Sequence, residues 1–263
     1  TLDDFCDAAS ETREWVIPLF LERGERMLLV AGEGIGKGVL LRQLAVAAGQ
    51  GINPFTLRKH QPPVRTLLVD LENPAAIIRR TVERMLLAAY RDAADTYDPG
   101  RVSIWHEPAG VDLRSPVDFA RFDSVLAHTR PDLVCLGPLY KAFRKQRGES
   151  DEDAAQDMTS RFDDLRARHG FALVLEHHAP KGGGGSRELV PFGSSVWQRW
   201  PEFGPALSPH PKNRDRQRLL WTDWRGPRDT RPWPTELAWG PTWPWTFTWE
   251  HGMPDVGDQL AGF

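Results

Sequence analysis

Residues 30–41 read VAGEGIGKGVLL, and this stretch carries the strongest prediction in the sequence. An apolar run, RMLLVA at 26–31, leads into a glycine-rich turn, and an apolar helical pattern follows Lys37. Glycines let backbone N–H groups turn inward around phosphate oxygens, a lysine reaches the terminal phosphates, and the amino end of a helix attracts the anion. The pattern therefore predicts a phosphate-binding loop (P-loop) for a nucleotide triphosphate. The predicted binding residues are Gly32, Glu33, Gly34, Ile35, Gly36, Lys37, Gly38 and Val39.

The loop departs from the strict pattern G-x-x-x-x-G-K-S/T at two positions. Ala31 replaces the first glycine, which is a mild change at the end of a strand. Gly38 replaces the hydroxyl residue that normally holds Mg²⁺. This stretch therefore supports ATP binding better than ATP hydrolysis. A strand, turn and helix whose glycines serve packing alone is the alternative interpretation.

Short apolar runs alternate with helical patterns along the first two thirds of the chain. The predicted strands are 26–31, 65–70, 101–105, 132–137 and 171–176, and the predicted helices are 37–49, 74–92, 116–129 and 152–169. Strands that are apolar nearly throughout and separated by helices indicate a parallel sheet covered on both faces. Such sheets bind ligands at the carboxyl ends of their strands, so the residues that follow each run are the candidate site residues.

The pattern changes after residue 178. Four consecutive glycines within 179–192 predict a mobile loop, and RLLWTDW and WPWTFTWE predict short strands between Pro-rich turns. We expect one domain over 1–263, with an N-terminal segment (1–25), a P-loop core (26–178), the glycine-rich loop and an antiparallel, Trp-rich extension (193–263). The tryptophans of the extension are interpreted as packing residues rather than base-stacking residues.

Composition limits the classes of function. The 263 residues carry 33 Lys and Arg against 36 Asp and Glu, a net charge of -3, so any contact with nucleic acid must be local. No apolar run is long enough to cross a membrane. The acidic, polar start of the chain is unlike a secretion signal, and Cys6 and Cys135 lack C-x-x-C spacing, so a cytoplasmic protein with reduced thiols is expected.

With these motifs in order, the chain resembles the RecA-like P-loop ATPases. It is most similar to the branch of DnaB-type and RepA-type hexameric helicases and to the small single-domain AAA ATPases of actinobacterial phages. The resemblance covers roughly residues 13–250 and rests on the P-loop stretch, TLLVDLEN, PDLVCLGPLYK, LEHHAPKG, PFGSSVWQRWPEFG and WRGPRD. It implies an α/β RecA-like core and ATP as the ligand.

The resemblance also implies roles for residues at the strand ends. Glu72, after the second strand, would be the base that polarises the attacking water, and Lys37 would contact the β- and γ-phosphates. His177 would sense the γ-phosphate, and Arg225 would reach into a neighbouring subunit as an arginine finger, with Arg228 as the alternative. Ordinary structural roles stay open for each: a helix cap for Glu72, a strand-end histidine and a surface arginine.

The sequence departs from the resembled family at the metal site. Gly137 stands where the Walker B strand should end in an Asp that orders Mg²⁺. Asp70 is the candidate replacement, because it lies two residues before Glu72 and both side chains would point to one face of an extended strand. Asp70 would equally suit a strand end held by local backbone N–H groups.

Two basic loops are candidate contacts for single-stranded DNA. Lys181 and Arg187 flank the four glycines, and Arg144 and Lys145 follow the Walker B strand. Contacts of this type neutralise phosphates without reading sequence. Both loops would otherwise be solvated surface, and the acidic ESDED run beside the second would reduce its field.

The leading hypothesis is therefore a RecA/DnaB-like ATPase that acts on DNA in replication or recombination as a hexameric ring or filament. A second is an ATP-binding switch with weak or no hydrolysis, because Gly38 and Gly137 replace the usual Mg²⁺ ligands. A third is an adaptor, such as a helicase loader, whose β-rich part binds a replication partner protein.

Overall fold

The fold comes from a computed structural model, which describes residues 14–59, 62–179, 191–213, 215–223 and 231–254 together with residue 2. The strands are β1 (Trp15–Ile17), β2 (Leu21–Glu22), β3 (Arg26–Ala31), β4 (Thr66–Asp70), β5 (Val102–His106), β6 (Leu133–Gly137), β7 (Ala172–His178), β8 (Phe203–Pro209), β9 (Arg216–Asp223), β10 (Pro234–Trp239) and β11 (Trp245–Trp249). The α-helices are α1 (Lys37–Gly49), α2 (Ala75–Asp92), α3 (Pro116–Thr129), α4 (Asp151–His169) and α5 (Val196–Arg199).

Nine of these strands form one sheet in the order β11-β10-β9-β8-β3-β7-β6-β4-β5. Neighbouring strands are parallel in the part β8-β3-β7-β6-β4-β5 and antiparallel in the part β11-β10-β9-β8. The α/β fold class is therefore confirmed, with a mainly parallel sheet and an antiparallel C-terminal part. β3, which leads into the P-loop, lies between β7 and β8 near the centre.

Helix α1 is buried on nearly all sides, which explains its apolar character. It packs on β4, β6 and β7 and against α2, and its residues from Leu40 to Gly49 are all buried. A helix that is apolar all round must have neighbours on every side. The sheet supplies one, α2 another, and the C-terminal strands supply Trp243 and Trp245 in the same buried cluster. Helices α3 and α4 cover the opposite face of the sheet.

Two strands of the extension were not predicted from the sequence. β8 contains Pro205 and Pro209, and β10 begins at Pro234, and proline normally argues against a strand inside a sheet. β8 nevertheless pairs with β3 on one side and β9 on the other. The extension therefore continues the P-loop sheet directly from the strand that carries the loop.

Gly204 sets how closely β8 can approach β3. A β-carbon at Gly204 would overlap the carbonyl oxygen of Leu28 in β3. We expect Gly204→Ala to lower the free energy of unfolding by about 1–3 kcal/mol, because the strand must move away from β3 to admit the methyl group. Urea denaturation measures the loss. Ser208→Ala, at a half-buried position of the same strand, is the control and should change stability little; equal losses in both variants would contradict the close approach.

Candidate functional site

The glycine-rich turn joins the carboxyl end of β3 to the amino end of α1, as the sequence predicts. Gly34 and Gly36 have φ of +73° and +94°, in the left-handed region that favours glycine. Gly36 precedes α1, and no side chain caps the first turn of that helix. Backbone N–H groups at the start of a helix without a side-chain cap form an anion-binding site.

Lys37 is buried at the base of this turn. Its Nζ donates a hydrogen bond of 2.7 Å to the carbonyl oxygen of Gly32 and lies 3.9 Å from Oε1 of Glu176 in β7. Burial lowers the pKa of the Lys37 ammonium, and the nearby Glu176 carboxylate opposes that effect. The lysine is thus held within the loop, beside a buried carboxyl group.

The extension supports the turn from below. A β-carbon at Gly36 would overlap the ring of Trp245, and the Trp245 indole Nε1 donates to the Gly36 carbonyl oxygen at 3.4 Å. Gln43 in α1 fixes this tryptophan, because its side-chain amide donates to the Trp245 carbonyl at 2.8 Å and accepts from the Trp245 N–H at 2.8 Å. Trp239 stacks on Trp245 with ring centroids 3.9 Å apart. Trp245 therefore packs, as predicted for the tryptophans of the extension, and its packing partner is the P-loop itself.

An open cleft of about 440 Å³ lies above the turn. It is lined by Glu33, Gly34, Gly36, Lys37, Gly38, Val39, Arg42, Glu72, Asn73, Glu176, His178 and Trp239. The structure thus brings most of the predicted loop residues together with Glu72 from the end of β4. Gly32 and Ile35 belong to the turn without lining the cleft.

Glu72 is exposed at the mouth of this cleft. Tyr140, which follows β6, donates its hydroxyl to Oε1 of Glu72 at 2.7 Å. Partial burial and this hydrogen bond raise the pKa of Tyr140 to about 12, so its hydroxyl keeps its proton at neutral pH. No side chain caps helix α2 at Pro74, so Glu72 does not serve as the cap considered from the sequence.

Asp70 is held by hydrogen bonds from Arg42, Glu72 and Asn73, and its assignment as a metal ligand stays a prediction. Its Oδ2 accepts from Nη2 of Arg42 at 2.7 Å, and its Oδ1 accepts from the backbone N–H groups of Glu72 and Asn73. The Asn73 amide also donates to both carboxylate oxygens. These bonds lower the pKa of Asp70 despite the opposing effect of burial. Asp70 is therefore the strand-end carboxylate held by local N–H groups, and it joins β4 to α1 through Arg42.

His177 and His178 point to opposite faces of the sheet, as neighbours on a strand do. His177 packs against Trp197 on the face of α4, and burial lowers its pKa to about 4, so it is neutral. His178 lines the cleft, where its ring packs on Tyr140 with centroids 5.2 Å apart. The register thus places His178 at the cleft and the predicted sensor, His177, behind it.

Glu176 is the cleft residue that the sequence analysis missed. It shares a face of β7 with His178, and it is 7% exposed. Burial raises the pKa of its carboxyl group to about 7, with Lys37 acting in the opposite direction. A glutamate inside the apolar run FALVLE was the available signal, because a buried strand rarely contains a carboxylate without a partner or a task.

Positions 38 and 137, where the general P-loop pattern places Mg²⁺ ligands, hold no side-chain oxygen. Gly38 and Gly137 both face the Glu176 carboxylate instead. In the part of the chain that the structure describes, no three His, Cys, Asp or Glu side chains are grouped as a metal site. Mg²⁺ at a nucleotide commonly uses only one or two carboxylates together with phosphate oxygens and water, so the cleft retains a suitable donor in Glu176.

The candidate DNA-binding and finger residues divide between the described and the remaining residues. Lys181, Arg187, Arg225 and Arg228 lie outside the described residues. Arg144 and Lys145 are exposed after β6, and Lys145 forms an ion pair of 2.6 Å with Asp151 at the start of α4. The basic loop is therefore partly neutralised by the acidic run, as its sequence indicates.

Comparison with known proteins identifies a protein family that matches this chain. A family model described as an AAA domain matches residues 1–184. No curated protein matches the chain. Within the described residues, every helix is too short or too polar to cross a bilayer.

The Arg42–Asp70 pair beside the cleft gives a stability prediction. We expect Arg42→Met to cost about 3–5 kcal/mol, because it leaves the buried Asp70 carboxylate without its counter-ion. Adding Asp70→Asn should recover much of that loss, since the amide keeps an acceptor for the N–H groups and removes the charge. Urea denaturation of both single variants and the double variant measures the coupling.

Lys59→Met is the control for that cycle. Lys59 forms an ion pair with the exposed Asp95, so its loss should cost no more than about 1 kcal/mol. Additive losses in the Arg42→Met/Asp70→Asn cycle would show that the two side chains do not depend on each other.

Proposed function

The chain belongs to the AAA domain family, and on that basis we propose that it binds ATP with the triphosphate in the cleft above Gly34–Gly38. The observation that carries this proposal is the position of the Lys37 ammonium, which lies at the uncapped amino end of a buried helix and at the base of an open cleft. Both the ammonium and the helix end favour a polyphosphate. The binding residues would be those of 32–39.

Two groups of residues that line the cleft would hold different parts of the nucleotide. Backbone N–H groups of the turn and Lys37 would hold the phosphates. Trp239 lines the same cleft and is 56% exposed, and its ring is already stacked on Trp245, so its free face suits the nucleobase. In this family ATP usually binds together with Mg²⁺, which neutralises charge on the β- and γ-phosphates.

We also propose that the chain hydrolyses ATP with Glu72 as the base. A base must lie within hydrogen-bond reach of the attacking water, and the exposed Glu72 carboxylate stands at the cleft mouth. Tyr140 would act as a positioning residue, since its hydroxyl fixes one carboxylate oxygen and leaves the other to accept from water. His178, which lines the cleft, is a better candidate than His177 for contact with the γ-phosphate.

The role beyond ATP is a further step of the proposal. The resemblance to RecA-like helicases favours action on single-stranded DNA in replication or recombination, with subunits in a ring or filament and Arg225 of one subunit serving the next. Exposed Arg144 beside the cleft strand β6 is compatible with a phosphate contact. Lys145, Lys181 and Arg187 complete the proposed DNA-binding set.

A second candidate function is an ATP-operated switch or a loader-like adaptor with little turnover. Gly38 and Gly137 favour it, because neither has a side-chain oxygen for Mg²⁺. In that case the free energy of ATP binding would order subunits or a partner interface without hydrolysis.

Lys37 provides the test of nucleotide binding. We expect Lys37→Met to weaken ATP binding roughly 10- to 100-fold, because it removes a charge-assisted hydrogen bond to the phosphates. Isothermal titration calorimetry measures the affinity, with circular dichroism to confirm folding. Lys59→Met, which breaks an exposed ion pair with Asp95, is the control and should bind as the parent does. Undiminished affinity in Lys37→Met would make the loop a packing feature alone.

Glu72 provides the test of hydrolysis. We expect Glu72→Gln to bind ATP normally and to lose turnover by roughly 100-fold or more, because the amide cannot accept the proton of the water. Tyr140→Phe keeps the ring and removes the hydroxyl, so kcat should fall by less while ATP affinity is unchanged. Steady-state ATPase rates with and without single-stranded DNA measure both effects.

The same assay separates the two candidate functions. A parent protein whose turnover rises with single-stranded DNA supports the ATPase. A parent protein that binds ATP tightly and turns it over in neither condition supports the switch, and a Glu72→Gln rate equal to the parent rate would assign the base elsewhere.

A further inference from the structure

Two residues that line the cleft, Gly38 and Glu176, lie close to Gly137 at the end of the neighbouring strand β6. Gly137 ends β6, Gly38 begins α1, and Glu176 extends between them from β7. A β-carbon at Gly137 would lie 2.6 Å from Cβ and 2.8 Å from Oε2 of Glu176. A β-carbon at Gly38 would lie 3.4 Å from the same Oε2. The glutamate therefore uses the volume that an Asp at 137 would require, and it reaches the position of a side chain at 38.

Strand order explains how one residue reaches both glycines. β7 lies between β3, which leads to the P-loop, and β6, which ends at Gly137. Glu176 lies opposite Leu29 of β3, the strand that leads to the P-loop. Leu175 lies opposite Leu136 of β6, so Glu176 comes next to Gly137 at the end of that strand. The added methylene of glutamate over aspartate extends the carboxylate toward the start of α1.

The carboxylate is buried without a hydrogen bond from any described residue. Its nearest cation is the Lys37 ammonium at 3.9 Å, which already donates to Gly32 at 2.7 Å. Burying a carboxylate with so little compensation is unfavourable, so the group either takes up a proton, which its raised pKa favours, or is neutralised by a cation. A structural ion pair would instead bring Nζ and Oε1 within about 3 Å of each other, as charge-assisted hydrogen bonds do.

We propose that Glu176 supplies the protein carboxylate for the Mg²⁺ of bound Mg·ATP, in place of the Asp that β6 lacks. Gly38 and Gly137 are then the residues that make room for it. This inference rests on the proposed binding of ATP in the cleft. It assigns Mg²⁺ to one protein carboxylate, with phosphate oxygens and water as its other ligands, which is the usual arrangement for Mg²⁺ at a nucleotide.

The test compares nucleotide affinity with and without the metal in the full chain. Calorimetry with a non-hydrolysable ATP analogue is done in Mg²⁺ and in EDTA for the parent protein and for Glu176→Gln, with thermal unfolding to confirm folding. We expect the gain in affinity from Mg²⁺ to fall on the order of 10- to 100-fold in Glu176→Gln. In EDTA the variant should bind the analogue at least as tightly, because a negative charge near the phosphates is gone.

A matched control and a second readout keep the result specific. Glu83→Gln changes an exposed glutamate of α2 and should leave the Mg²⁺ dependence as in the parent. Mn²⁺ bound together with the analogue reports its surroundings through electron paramagnetic resonance, and its affinity should fall in Glu176→Gln and not in Glu83→Gln. Neither readout requires turnover.

An exchange of residues tests the spatial argument. Gly137→Asp alone should lower the unfolding temperature, because its Cβ meets Glu176. The pair Gly137→Asp/Glu176→Gly removes that contact and returns a carboxylate to the end of β6, so it should regain stability over Gly137→Asp and recover the Mg²⁺-dependent affinity. A folded exchange variant without that recovery would contradict the proposal.

Failure of this inference differs from failure of the proposed function. A parent protein that binds the analogue in neither Mg²⁺ nor EDTA would overturn ATP binding and the metal site with it. Normal binding in the parent, with the same Mg²⁺ gain in Glu176→Gln, would overturn the Glu176 assignment alone.

Discussion

Four charged side chains are buried near the amino end of α1, and the surrounding strands must supply each with a partner of opposite charge. Lys37 and Arg42 on the helix and Asp70 and Glu176 on two strands are all nearly inaccessible to solvent. Arg42 and Asp70 form an ion pair of 2.7 Å, whereas Lys37 and Glu176 approach only to 3.9 Å. The first pair can hold α1 on β4, and the second leaves a cation and a carboxylate available to a ligand. The close ion pair and the longer one are thus separated by about one turn of the helix.

The C-terminal extension belongs to the nucleotide cleft as much as the P-loop does. Gln43 and Trp245 exchange two hydrogen bonds, and the Trp245 ring lies where any side chain at Gly36 would be. Because β8 pairs with β3, a displacement of the extension would be transmitted to the loop through both the sheet and this tryptophan. Such coupling suits either a motor or a switch, since both must convert occupancy of the cleft into movement of another surface.

The proposed role of Glu176 in holding Mg²⁺ illustrates what a motif comparison omits. Read position by position, Gly38 and Gly137 remove two oxygen donors and make the site look degenerate. In the folded chain the same two glycines surround a carboxylate that arrives from the strand between them. A carboxylate that is absent from one strand can be supplied by the neighbouring strand, because both strands end at the same site. A sequence motif describes one strand at a time and does not detect such a replacement.

Periodicity and glycine placement in the sequence were enough to predict the α/β class, the five core strands, the four long helices and the turn that carries Lys37, because these depend on local hydrophobic pattern and backbone freedom. The same pattern predicted that Glu72 lies near the P-loop, because residues that follow parallel strands lie at the same edge of the sheet. Which of His177 and His178 faces the ligand, whether Asp70 is free, and that Glu176 lies beside Gly38 depended on strand register and on partners far away in sequence. The prolines in β8 and β10 argued against strands in the sequence. These strands are stabilised by pairing with neighbouring strands, and the sequence pattern does not show which strands are neighbours in the sheet.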